Sequence, residues 1–261
     1  MNSSSVRLVV AILVAIVVGT LGGYGLTQAG VVSLAEDTQR ASITAQRSDA
    51  VAAGVPSPST PTTVAPSTVP SPETPTPADP ADVPAAGSGD FTTVPGPSDR
   101  VGSSGRLVRY RVVVEAEAPI EPATFATAVE RTLADPRGWT ANGQWSFQRV
   151  DAGQAALTVH LATPQTTDTI CGRYGLRTGG EVSCRGGPNV VINLKRWMLG
   201  VPWYADSLVD YRHMLVNHEI GHFLGHGHDY CPGPGQLAPV MQTQTIALKG
   251  CVRNPWPFPT E

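Results

Sequence analysis

The polar and apolar positions change rhythm several times along the chain. An apolar run follows Arg7, from Leu8 to about Leu26, interrupted by Thr20, Tyr24 and several glycines. Nineteen helical residues rise about 28 Å, enough to cross a hydrocarbon core of about 30 Å. From 107 to 117 (LVRYRVVVEAE) the pattern alternates and is rich in Val, which predicts a strand. Residues 122–134 place Phe125, Val129 and Leu133 at helical spacing, and Asp135-Pro136 ends that helix. Strands are expected over 145–150, over 155–162 with Leu157, Val159 and Leu161 on one face, and over 189–197. The Gly-rich stretch 171–188 suggests a hairpin around Gly179-Gly180. A long helix is predicted from about Ser207 to Leu224, with Val209, Val216, Ile220, Phe223 and Leu224 on one apolar face. The order β-α-β-β-β-α gives an α+β domain: a mixed sheet, two main helices and a loop-rich C-terminal end.

Composition divides the 261 residues into three parts. Twelve of the 24 prolines lie between Pro56 and Pro97, among Ser, Thr and Ala. Such a segment buries too little apolar surface to offset its ordering entropy. Residues 1–34 are therefore read as a cytoplasmic start and a transmembrane anchor, 35–105 as a disordered Pro/Ser/Thr/Ala-rich linker, and 106–261 as the folded domain. Arg7 on one side of the apolar run, with Glu36 and Asp37 on the other, puts the N-terminus in the cytoplasm and the domain outside. Ser33-Leu34-Ala35 would also serve as a cleavage site, which would release a secreted form. From Arg106 onward there are 14 Lys and Arg against 13 Asp and Glu, a balance of +1 with no basic stripe, which argues against nucleic acid.

All four cysteines, Cys171, Cys184, Cys231 and Cys251, fall in the folded part. In an exported chain an even count reads as two disulfides, and Cys171–Cys184 and Cys231–Cys251 would each close a short loop. The rival arrangement, one zinc ion on four thiolates, normally uses close C-x-x-C pairs that this sequence lacks.

The chemistry concentrates in VNHEIGHFLGHGHDY, residues 216–230, and five of the six histidines fall between residues 213 and 228. His218 and His222, four apart on a helix, share a face and can converge on one ion. Gly225 can take positive φ and reverse the chain, so that His228 returns as a third ligand. His226 is a competing candidate at that position. Three protein ligands leave one coordination position open, the arrangement of a catalytic Zn2+. Glu219 lies beside the ligands without being needed as one, where it can act as general base toward an attacking water. His160 and His213 are expected to be ordinary packing histidines. A bare H-E-x-x-H is a modest motif, but a Gly and a His at fixed offsets make the chance match rarer by about a thousandfold.

HEIGHFLGHGH resembles the H-E-x-x-H-x-x-G-x-x-H pattern of the metzincin metallopeptidases. The resemblance implies a Met-turn, for which Met241 in Ala238-Pro239-Val240-Met241 is the counterpart, and an N-terminal subdomain whose edge strand aligns peptides above the metal. The proposed Cys231–Cys251 bridge would enclose that turn. The layout also resembles a bacterial family of membrane-anchored, zincin-like proteins with HExxHxxGHGH and PVMQ signatures. The implied activity is zinc-dependent hydrolysis of protein or peptide substrates outside the cytoplasm. A non-catalytic zinc-binding envelope module and a hydrolase of cell-wall amides are the alternatives. One departure stands out: several metzincins carry a tyrosine two residues after the Met-turn methionine, and here that residue is Thr243. Tyr204 and Tyr230 are candidates for the missing hydroxyl.

Overall fold

A computed structural model describes residues 78–260. The apolar run 8–26 expected to anchor the chain lies outside the described residues; among those described, no helix is long and apolar enough to cross a membrane.

Among the described residues the architecture is α+β, with a six-stranded mixed sheet and four α-helices. The strands are β1 (Phe91–Thr93), β2 (Arg106–Glu115), β3 (Trp145–Arg149), β4 (Leu157–Ala162), β5 (Cys184–Gly186) and β6 (Asn189–Asn193), and the helices are α1 (Pro122–Ala134), α2 (Pro164–Gly172), α3 (Leu194–Leu199) and α4 (Leu208–Phe223). The sheet runs β1-β2-β4-β6-β5, with β3 also paired to β2. The β2–β3, β2–β4 and β4–β6 ladders are parallel, whereas β1 and β5 pair antiparallel. α1 and α2 supply crossovers of the kind that parallel neighbours require.

Alternation along the strands sorts the side chains between two faces. Val190 and Ile192 of β6 join Val112, Val114, Val159 and Leu161 in the main core, where Phe125, Val129 and Leu133 of α1 meet Leu208, Leu215, Val216 and Ile220 of α4. Val191 points the other way, into a smaller cluster with Ile170, Cys171 and Cys184 beneath α2. α4 thus rests on α1, β5 and β6, and the metal-ligand candidates ride on a helix fixed by the core.

Four expectations need correction. The ordered part begins well before residue 106: β1 pairs with β2 through Thr92 and Val114, Val94 is buried, and the Arg149 guanidinium donates to the carbonyls of Val94 and Pro95. Its partners, not its own apolar content, order this Pro-rich segment. The predicted strand 189–197 stops at Asn193, whose side chain accepts from Lys195 N and caps α3. The hairpin joins β5 to β6 around Gly187-Pro188, and Gly179-Gly180 forms a turn in the loop before β5. α2, which was not foreseen, is capped by Thr163. In addition, Val209 is exposed, so the apolar face of α4 is narrower than expected.

Both disulfides join the expected pairs, Cys171–Cys184 and Cys231–Cys251. The four-thiolate arrangement is thereby excluded.

Candidate metal centre

α4 is capped at its start by Ser207, whose hydroxyl accepts from Asp210 N, and at its end by Leu224. Gly225 then takes φ of 101°, a conformation open to glycine, and His226 N closes back on the Gly221 carbonyl at 3.0 Å. This reversal returns His228 to the helix. Asp229 N donates to the Met241 carbonyl at 3.1 Å, so the returning segment is tied to the turn that carries Met241.

The three predicted ligands meet. His222 Nε2 lies 3.2 Å from His218 Nε2 and 3.1 Å from His228 Nε2. One ligand atom from each of the three histidines lies within 4.8 Å of the others, so the trio can hold a metal ion. The ring tautomers follow from the other nitrogens. His218 Nδ1 is 2.9 Å from the Val240 carbonyl, and His222 Nδ1 is 2.9 Å from the His226 carbonyl. Each Nδ1 therefore carries the proton it donates, which leaves both Nε2 atoms as bare lone pairs facing each other. Two lone pairs at 3.2 Å repel unless a cation lies between them, so the donor set fits a metal. Burial lowers the pKa of His218 to about 4 and holds His222 below its ordinary value, which keeps both rings neutral and able to ligate.

His226 does not replace His228: its ring stacks on Trp139 with centroids 4.5 Å apart. His160 and His213 lie apart from the cluster. His160 Nε2 bonds Asn189 Oδ1, and His213 Nδ1 bonds Thr132 Oγ1 while its ring packs on Trp256.

Glu219 projects from the buried side of α4. It is 5% exposed, its Oε2 has no hydrogen-bond partner, and burial pushes its pKa up to about 8. Burying a carboxyl oxygen without a partner is costly to the fold, and such a group in a cleft is a candidate for chemistry. Its neighbours His218 and His222 line the same cleft of about 580 Å³.

Met241 lies directly under the helix. A Cβ built on Gly221 would come within 2.3 Å of Met241 Sδ and 2.7 Å of Trp139 Cζ2, so only glycine fits between the two ligand histidines' turn and the methionine. The 231–251 loop closed by the second disulfide encloses Met241 and supplies Thr243, Gln244, Thr245 and Ile246 to the cleft wall.

Neither tyrosine candidate reaches the cleft. Tyr204 is buried with its hydroxyl donating to Gln244 Oε1 at 2.8 Å, and Tyr230 is 88% exposed. Thr243 does line it. Arg185, on β5, also lines the cleft and was not singled out from sequence; a lone arginine after a cysteine carries no signal there.

A family model described as "Protein of unknown function (DUF3152)" matches residues 77–252. The chain belongs to this family. The span that matches DUF3152 includes the whole sheet, α4, the three converging histidines, Glu219, Met241 and all four cysteines. Comparison with curated proteins and with solved structures gave no match.

Proposed function

We propose that this DUF3152 protein is a metzincin-like zinc peptidase acting on protein or peptide substrates outside the cytoplasm. The observation that carries the reading is the pairing of three converging imidazole nitrogens with a buried, unpartnered carboxylate oxygen beside them on one cleft. A site built only to hold an ion has no use for Glu219. The Met241 turn packed beneath the helix and the Gly225 reversal agree with the same family resemblance. Two disulfides favour an oxidising compartment.

His218, His222 and His228 would hold the zinc, which when bound supplies Lewis acidity toward a carbonyl and a water. The chain's own contribution then falls to Glu219. Its carboxylate would take a proton from the attacking water and deliver it to the departing amide nitrogen. Burial keeps this carboxylate from being solvated, which raises its basicity toward that proton. β5 ends the sheet beside the cleft, and its outer edge offers backbone groups to an extended peptide.

The test compares the zinc-loaded full chain with Glu219→Gln on a broad peptide library, with zinc content measured in both. Cleavage by the wild type that drops by at least about a hundredfold in the variant, at equal zinc content, is the expected result. Equal inactivity of two fully loaded proteins would overturn the peptidase reading in favour of a non-catalytic zinc module. Activity on purified wall material alone would redirect it to a wall amide.

A further inference from the structure

The cleft has an uneven charge. Besides the histidines, its charged lining residues are Arg177, Arg185 and Glu219, and the single acid is the buried one. Among the described residues, no acidic side chain at the cleft surface neutralises the two arginines.

Arg185 is the more constrained of the two. Strand alternation sends Cys184 toward the α2 cluster and Arg185 to the opposite face, the side of its ladder partner Val190 and of α4. Its guanidinium carbon sits 5.8 Å from the ring centre of Phe223, the residue that follows His222. A cation–π contact of this kind uses none of the guanidinium's N–H donors as hydrogen bonds. Arg185 Nε is buried without a partner, and among the described residues no carboxylate or carbonyl pairs with this side chain. Three other arginines pair with acids, Arg149 with Glu130, Arg196 with Glu181 and Arg253 with Asp206, and Arg111, whose Nε is likewise unpartnered, still donates from Nη2 to the Gly153 carbonyl. Buried donors in native structures normally have partners, so the unpartnered Nε of a half-buried arginine on the cleft wall points to an anion supplied from outside.

Resting on the peptidase reading, we propose that Arg185 receives a carboxylate of the substrate, so that the cleft selects peptides bearing a negative charge near the scissile bond. The planar fork of donors suits a two-oxygen acceptor, and the position on β5 places it beside the edge along which a peptide would run. The carboxylate belongs either to an acidic side chain or to the free end of the peptide.

Both sources are tested on one peptide sequence that the zinc-loaded full chain cleaves. Versions capped at both ends carry Glu or Gln at each position in turn, and a further version leaves the C-terminal carboxylate free. The readout is the ratio of kcat/KM for each charged peptide to its neutral counterpart, taken within each protein so that a general loss of activity cancels. In the wild type one position, or the free terminus, should show a ratio of about ten. Arg185→Gln should bring that ratio to about one, Arg185→Lys should keep part of it, and Arg185→Glu should invert it and favour Lys at the same position. The inversion cannot arise from a folding defect. A wild-type ratio near one everywhere, or a ratio unchanged by Arg185→Gln, overturns the inference alone. A loss in Arg185→Gln that is equal for charged and neutral peptides also overturns it, since it assigns Arg185 to the reaction itself. If the zinc-loaded wild type cleaves no peptide at all, the peptidase reading falls and this inference with it.

Discussion

Replacing Gly221 by alanine tests the packing on which the site depends. In an exposed helix interior the change is favourable by about 0.5–1 kcal/mol, because alanine loses less backbone entropy. Here the added methyl would sit 2.3 Å from Met241 Sδ, 2.7 Å from Trp139 Cζ2 and 3.2 Å from Met241 Cε, where ordinary contacts fall at 3.4–4 Å. The thioether end is flexible, but Trp139 is not free to yield, since its Nε1 donates to the Asn217 carbonyl at 2.9 Å. Overpacking of this kind costs about 1–3 kcal/mol. The opposing terms leave a net loss of about 0–2.5 kcal/mol, centred at about 1 kcal/mol. Urea denaturation of the metal-free full chain measures it.

The same substitution should reach the ligands. Val240 lies next to Met241, and its carbonyl fixes the His218 ring through Nδ1 at 2.9 Å. Moving Met241 moves that acceptor, and loss of such an outer partner typically weakens metal binding by about 10–100-fold. Competition with a chelator should show zinc affinity at the low end of that range, about tenfold weaker. Met241→Ala opens the space that the new methyl needs, so the double variant should be more stable than the two single losses together predict, by about 1 kcal/mol. A Gly221→Ala protein that is more stable than the wild type and binds zinc equally well would refute the close approach.

Two further outcomes follow from the same geometry. With His218 lowered to about 4 and His222 also below the ordinary value, acidification from pH 7.5 to 5.5 should weaken zinc binding far less than the roughly thousandfold lost by three imidazoles of ordinary pKa; chelator competition across that range decides it. The sign in the metal-free protein is the corresponding one: a folded-state pKa below the unfolded value contributes stability above about pH 6.5 and loses it as pH falls through about 4, which denaturation at stepped pH will record. Replacing Cys231 and Cys251 by serine releases a crosslink across 20 residues, and should cost about 3 kcal/mol by loop entropy and weaken zinc binding, because that loop carries Val240 and Met241. Replacing Cys171 and Cys184 should cost a similar stability and leave zinc affinity where it was.

What the sequence disclosed tracks how local the determining physics is. The site was legible because its spacing is a property of one helix and one glycine: four residues return His222 to the face of His218, and a positive φ at Gly225 brings back His228. The disulfides were legible because each closes a short loop. β1 and α2 were not, because distant residues hold them. α2 reads PQTTDTICG, with little apolar periodicity, and its start is fixed by the buried Glu115 carboxylate, which accepts from Thr163 N and Thr166 Oγ1, both at 2.6 Å. The same carboxylate accepts from Gly89 N at 2.9 Å, so one side chain orders parts of two segments that composition alone assigns to loops. Arg185 was illegible for the same reason: its meaning comes from Phe223 beside it and from an Nε that finds no partner among the described residues.

The two halves of the ligand set are held by different forces, and that difference says where the centre is vulnerable. His218 and Glu219 are buried on a helix that packs into the main core through Val216 and Ile220, so their positions follow from burial of α4 on the sheet. His228 is exposed and has no such packing. Its segment is positioned by the hydrogen bond from Asp229 N to the Met241 carbonyl, and Met241 is itself located by the gap at Gly221. The third ligand is thus registered to the first two through a glycine on the very helix that carries them. A methyl group at that position acts on both halves at once, through Met241 and its neighbour Val240. Loss of core packing should therefore lower stability before it alters the ligand geometry, whereas a change at Gly221 should alter both together.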